Sequence, residues 1–386
     1  MPRSLWILAL GNFAVGTSAL VVAGVLGLVA ADLRVGLGSA GAVVTAYSLT
    51  YALSAVLLGG LTGHLPRKTL LLAALALFAL GNLGAALAPS FGLLLFARVV
   101  SAVGASLFTP VASGVAAASV PPEVRGRALA LVFVGIPIAT VLGVPLGTWI
   151  GGAWGWREAF WLVVALSIVA LVGVAALVRP VSVARPAAHW LKLLRRPALA
   201  QALAVMLLLY LGQFAVYPYL APTLRAITGL DSLGVTLLLL LFGAAGLLGN
   251  AVAGRLTDVW SGPRTLLLGL LLTAAALLLL PLLAKSVWGA GLALALWGVG
   301  TLATNPPQQS WVVGLTPDAP GVALALNASA LYLGQALGSS LGGLFAGGHL
   351  TWLGPLGGAA VLLAAGLALH SARLGRGVGA GTTGRA

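Results

Sequence analysis

Long apolar runs, separated by short intervals of turn residues and charge, recur along all 386 residues. Leu70 to Leu80, Leu162 to Val178 and Leu266 to Ala284 are examples, and crossing a bilayer takes roughly 20 mainly apolar residues in a helix. Setting boundaries at charges and turn residues predicts twelve spans, near 5–30, 40–62, 69–88, 91–118, 127–151, 158–178, 199–221, 232–254, 264–284, 287–309, 322–347 and 352–372. The longest polar interval, Arg179 to Pro197, divides six spans from six. The predicted organisation is therefore a six-helix bundle over 1–178, a central loop over 179–198, a second bundle over 199–372 and a tail over 373–386. The first run follows Arg3 and imitates a secretory signal, yet it continues to about Ala30 without a cleavage region, so it reads as the first span.

Composition makes the membrane the solvent throughout: 60% of residues are hydrophobic and 7% charged, against about a quarter charged in soluble domains. With no cysteine there is neither disulfide nor thiol chemistry. The formal charge of +14 does not indicate nucleic acid, because the basic residues lie in gaps between apolar runs and not along one face. Of the 20 Lys and Arg, 15 fall on the side holding both termini, while Arg34, Arg157, Arg225 and Lys285 fall on the other and Arg98 lies inside a span. Basic loops are retained in the cytoplasm, so both termini are expected inside.

The two halves share a sequence pattern. GGLTGHLPRKTLLL from Gly59 follows the second span, and GRLTDVWSGPRTLLL from Gly254 follows the eighth, with Leu61 and Leu256 195 residues apart. Duplication of a six-helix unit places a small-molecule site near the midplane, between the halves.

Gly59, Leu61, Arg67 and Lys68 fit a loop signature of the form G-x-L-x-D-x-x-G-R-[KR], with Gly63 where the aspartate is expected and Pro66 replacing the second glycine. Gly254, Leu256, Asp258, Gly262 and Arg264 fit it again with the acid present and one residue more in the spacing. Gly135, Gly143, Pro145 and Gly147 on the fifth span are similar to a glycine- and proline-rich antiporter signature. On these motifs the chain resembles the major facilitator superfamily, in particular its twelve-span drug:proton antiporter branch with bacterial sugar- and drug-efflux members. The resemblance implies an all-α membrane protein of twelve helices in two six-helix halves. It also implies a monomer in a bacterial cytoplasmic membrane, exporting a small molecule by alternating access, with protons as the coupling ion and no cofactor. The loops would act as gates, with Asp258 and Arg264 as the second-half latch and Gly63 removing the acid from the first. The span-five residues have a plainer reading as well, since Gly143 and Gly147 have the small-xxx-small spacing of ordinary close helix packing.

Arg98, in LLLFARVVSAVG, is the single ionisable residue well inside a span and the leading candidate for function. It resembles the arginine of a span-four R-x-x-x-x-x-G pattern ending at Gly104, with Ser101 where glutamine is common. Neutralising an anionic group, bonding to carbonyls and exchanging partners during coupling are its candidate roles, and snorkelling to a helix end is the alternative. No carboxylate accompanies it: Asp32, Glu123, Glu158, Asp231, Asp258 and Asp318 all fall at predicted loops or span edges, and Ala19 stands where similar efflux proteins have glutamate. Coupling then uses an unusual group or is absent, which keeps a facilitator or importer of the same fold as the alternative. Asn12, Thr17, Tyr47, Tyr51, Gln213, Tyr217, Asn305, Gln308, Gln309, Asn327 and Gln335 are candidate lining residues, with interhelical hydrogen bonding the competing account. Asn305, before Pro306 and Pro307, marks a helix end or a gate. His64, His189, His349 and His370 lack metal-ligand spacing, no G-x-x-x-x-G-K-[ST] sequence exists to bind ATP, and the clustered acids and histidines of a membrane enzyme are missing.

Overall fold

The computed structural model describes residues 1–62, 64–181, 190–346 and 350–380, with Gly59, Gly60 and 372–380 described by backbone alone. Regular structure among the described residues is entirely helical. Eleven stretches are each long and apolar enough to cross a membrane: Leu37–Leu58, Arg67–Ala86, Phe91–Ala118, Pro122–Trp154, Trp156–Leu177, Pro197–Thr228, Ser232–Val259, Gly262–Leu283, Val287–Gly314, Pro320–Ala346 and Leu350–Ser371. The first span is a bent pair, Arg3–Leu20 and Val22–Asp32, meeting at 47°.

The first, fifth and tenth spans depart from straight helices for local reasons, and the seventh passes through a 3-10 turn at Tyr217–Tyr219. The Thr17 hydroxyl donates to the Phe13 carbonyl at 2.8 Å, a back-bond that bends helices, and the first span turns at Val21 just beyond it. In the fifth, Ala139–Gly143 is a π turn whose exit amide, on Val144, donates to Ala139 five residues back. Pro145 follows, with no amide to offer the ladder. The tenth breaks at Thr304 and restarts at Asn305, where Pro306 and Pro307 occupy the first turn, whose amides have no intrahelical acceptors.

Several predicted boundaries shift. The fifth and seventh spans extend past 127–151 and 199–221 to Pro122–Trp154 and Pro197–Thr228. The twelfth helix runs through Ala380, into the stretch expected to be a tail. Ser90, Asp231 and Ser286 cap three helices by accepting from the amides of Leu93, Gly234 and Gly289.

Arg3 at the start of the first span and Ser371 on the last fall at one end of the bundle, the terminal end, opposite the far end carrying Arg34 and Arg157. Spans three and four pack so closely that a Cβ on Gly104 would meet the Phe78 backbone. Spans seven, eleven and twelve pack together in the second half, as do eight with ten and nine with ten and twelve. The halves meet where span two lies on eleven, five on eight, and one on seven. Leu248, Leu282, Phe96 and Val172 are exposed on the outside, as a hydrocarbon solvent requires, and Trp6, Trp154, Trp288 and Trp352 are exposed near span ends.

Candidate functional site

Arg98 is the eighth residue of its helix, about 10 Å along from the start at 1.5 Å per residue, and its side chain is 0% exposed. That excludes snorkelling. Its Nη1 donates to the Ser18 hydroxyl at 2.9 Å and its Nε reaches the Val43 carbonyl at 3.5 Å. The guanidinium lies 4.1 Å from the Tyr47 ring centroid. Nη2 has no partner, and neither has the Tyr47 hydroxyl. Ser18 in turn donates to Asn82 at 2.7 Å, and the Asn82 amide donates to Phe78, so spans one to four converge on one buried cation.

Its anion is missing. The Asp32 carboxylate accepts from Arg157 at 2.6 Å and Trp156 at 3.0 Å at the far end; Asp231 caps a helix; Asp318 pairs with Arg196. Glu123 lies in the first turn of span five, Glu158 in the first turn of span six and Asp258 in the last turn of span eight. All six carboxylates therefore sit at span ends.

From Tyr47 the site continues across the seam. Tyr51 stacks on Tyr332 of span eleven with centroids 3.6 Å apart, and Tyr47 lies 6.4 Å from the same ring. Ser48 donates to Gln335 at 3.1 Å, and Ser329 donates to the Ala52 carbonyl at 2.5 Å. Further toward the far end, Ser339 donates to the Gly41 carbonyl at 3.0 Å while the Ser339 carbonyl accepts from the Tyr219 hydroxyl at 2.7 Å. Gly38 and Gly343 approach backbone to backbone there, leaving no room for a side chain. A Cβ on Gly27 would touch Pro222 and one on Gly152 would collide with Ser232, so the halves are in contact at the far end along all three seams.

The second half carries a matching cluster. Thr301 donates to the Gln213 Oε1 at 3.1 Å, leaving Nε2 without a partner. The Tyr217 hydroxyl and Trp297 Nε1 are unpartnered too. Trp297 packs edge-on against Phe242 and Tyr217 with centroids 5.3 and 6.2 Å away.

Other predicted residues have structural partners. Asn12 donates to the Val132 carbonyl and accepts from Thr109, both at 2.9 Å, tying spans one, four and five. Thr17 serves the bend of its own helix. Asn327 accepts from Gln308 at 3.1 Å, and Gln308 also donates to Ala202. Asn305 opens the second half of span ten. Gly135, Gly143 and Gly147 form a contact strip against span one, where added side chains would collide with Phe13, Thr17 and Val21, and Pro145 is buried beside them.

In the loops, Gly59 and Leu61 end the second span, Gly63 lies outside the described residues, and Arg67 opens the third. Lys68 donates to the Ala175 carbonyl near the end of span six at 2.7 Å, so the first-half loop holds a helix terminus instead of an acid. Asp258 and Arg264 are in neither of the two ion pairs among the described residues. Gly254 lies on span eight, and Gly262 and Arg264 line a cavity of about 520 Å³ with Trp260, Pro307 and Trp311. The extra residue of this loop is absorbed at Ser261, whose φ is 148°.

Ser18, Asn82, Trp297 and Tyr332 were not singled out from the sequence. Single polar residues in apolar runs marked the first two, whereas the tryptophan and tyrosine resembled the many aromatic residues of the spans.

The model of the Major Facilitator Superfamily matches residues 8–221 and 202–378. An uncharacterised MFS-type transporter of Bacillus subtilis (strain 168) is 33% identical over 95% of this chain and 96% of its own. The inner membrane transport protein YdhP of Escherichia coli (strain K12) is 34% identical over 87% of each, and a chloramphenicol efflux pump of Mycobacterium tuberculosis (strain ATCC 25618 / H37Rv) is 32% identical over 89% of this chain and 86% of that one. The crystal structure of a D-xylose-proton symporter shares the fold at a TM-score of 0.73, with 18% identity over 93% and 96% of the two chains. Twelve apolar spans, a repeated loop and a seam lined by buried polar groups thus coincide with a family match over nearly the whole length, and the chain belongs to the Major Facilitator Superfamily of membrane transporters.

Proposed function

We propose that this protein exports small amphipathic molecules of the chloramphenicol type across a bacterial cytoplasmic membrane, with both termini inside. In this reading residues 1–178 and 199–372 are the two moving bodies, linked by 179–198 and followed by 373–386, and they close alternately at the two ends around Arg98, Tyr47 and the facing Tyr332. The observation that carries it is the buried Arg98 guanidinium, with one nitrogen unpartnered and all six carboxylates at span ends; an intramembrane charge without a structural counter-ion marks a transport route. The chloramphenicol efflux relatives support the direction and the cargo. The Lys and Arg distribution supports the orientation.

Proton antiport is the coupling the family resemblance implies. A second reading, facilitated export, is favoured by one observation: all six carboxylates lie at span ends, away from the seam. Purified protein in vesicles with an imposed pH gradient, loaded with labelled chloramphenicol, tests both. Protein-dependent flux with opposite proton movement is the expected antiport result; flux indifferent to the gradient selects the facilitator. Absence of flux for chloramphenicol, with flux of other small molecules, removes the cargo assignment and leaves the transport reading.

A further inference from the structure

The second half contains three buried polar atoms without partners in one place: Nε2 of Gln213, the hydroxyl of Tyr217 and Nε1 of Trp297. Buried polar groups are nearly always hydrogen-bonded, and one left unsatisfied lowers stability. Helical spacing explains how they gather. Gln213 and Tyr217 are four apart on span seven, and Trp297 and Thr301 four apart on span ten, so each pair shares a face. Thr301 holds the Gln213 amide by its oxygen, which leaves the nitrogen as the free end. Phe214 and Phe242 frame the group, with ring centroids 5.5 and 5.7 Å from Tyr217. The cluster borders the seam, because Gly243, next to Phe242, lies against Thr140 and Val141 of span five.

All three atoms can donate and none is an acceptor only. The rings around them present flat apolar faces.

We propose that Gln213, Tyr217 and Trp297 form a cargo subsite that takes a hydrogen-bond acceptor, such as a nitro or carbonyl oxygen, on a flat uncharged ring. The inference rests on the transporter reading above and names the part of the cargo that the second half recognises. An acceptor gains donors that are already desolvated.

The test uses the full chain in vesicles, with labelled chloramphenicol and its analogue in which an amine replaces the nitro group. Trp297→Phe and Tyr217→Phe each remove a donor and keep a ring. Each is expected to weaken chloramphenicol binding about three- to tenfold, the range for one hydrogen bond, and to erode the native preference for nitro over amine. The unliganded thermal midpoint should stay level or rise, since each change deletes an unsatisfied group. Variants that bind both probes as the native protein does assign the donors to ordered water and overturn the subsite. A lowered midpoint with unchanged binding does the same by giving the residues a structural role only. If native protein moves chloramphenicol and the variants match it, the subsite alone falls; if native protein moves neither these probes nor any other small molecule, the transport reading falls with it.

Discussion

Replacing Arg98 by methionine separates a charge kept for transport from one kept for folding. The gains to be lost are countable. One charge-assisted hydrogen bond, to Ser18, is worth about 1.5–3 kcal/mol, and a desolvated cation–π contact with Tyr47 is worth about 2 kcal/mol. The Nε contact at 3.5 Å is too long to add much. Against these stands the desolvation of a guanidinium with no anion, several kcal/mol in real proteins. The two sides nearly cancel, and methionine fills much of the volume with an apolar chain. Removing Arg98 strands none of its neighbours either, because Ser18 still donates to Asn82 and Asn82 to Phe78. Arg98→Met should therefore leave the thermal midpoint in detergent within about 1–2 kcal/mol of native by these figures, while lowering chloramphenicol export at least about tenfold, the equivalent of one lost interaction of about 1.4 kcal/mol. Arg98→Lys, which keeps the charge and loses the planar fork, should fall between. Destabilisation above about 3 kcal/mol, the range for breaking a buried ion pair, together with normal export would refute the reasoning and make Arg98 a structural residue.

Two further outcomes concern the terminal face. Ser261 holds φ at 148°, a region open to glycine and costly for other residues, so Ser261→Gly should raise stability by about 1 kcal/mol; a lower thermal midpoint would show that the hydroxyl, not the backbone, matters at that turn. Arg196 donates through both terminal nitrogens to Asp318, at 2.9 and 2.7 Å, holding that carboxyl below its ordinary range and raising the guanidinium above its own. A carboxyl with a lowered folded value contributes its stability above the ordinary carboxylate range and loses it as pH falls through the lowered one. The difference in midpoint between native protein and Asp318→Asn should thus be small, constant from pH 6 to 8, and close toward pH 3; a gap that persists in acid would assign it to something other than this pair. High salt should shrink it too, both side chains being largely in water.

Much of the architecture was legible because bilayer thickness imposes one length on every span and the charges mark the gaps. What the pattern missed is what neighbouring helices decide. Nothing in a hydropathy run distinguishes the bent first span from a straight one; the bend follows from the direction of the Thr17 hydroxyl. The twelfth helix passes its apolar stretch because backbone hydrogen bonds continue into a polar segment. At the site, Arg98 and Tyr47 stood out as a charge and a polar ring inside apolar sequence. Trp297 did not, since a tryptophan in a membrane span is ordinary until its indole nitrogen is found without an acceptor. Asn12 and Thr17 show the converse: polar residues of the expected kind whose bonds are spent on neighbouring backbone.

The distribution of unpartnered atoms bears on coupling as much as on cargo. Five of them flank the seam, on Arg98, Tyr47, Gln213, Tyr217 and Trp297, and every one can donate. A transporter that exchanges a proton for its cargo at a shared carboxylate has, at that point, an acceptor whose charge comes and goes. Here the fixed element is a cation and the surrounding groups are donors, so the negative or acceptor character must arrive with the cargo. Cargo binding and cargo release then change the electrostatic balance of the seam in the way that protonation changes it at a carboxylate. If protons are coupled, the group that carries them lies at a span end, where all six acids are, and its link to the seam runs through the closing and opening of the helix ends. Coupling of that kind would make the proton stoichiometry sensitive to changes at Asp32, Glu123 or Asp258 and indifferent to the polar lining, which is the reverse of what a buried carboxylate would give.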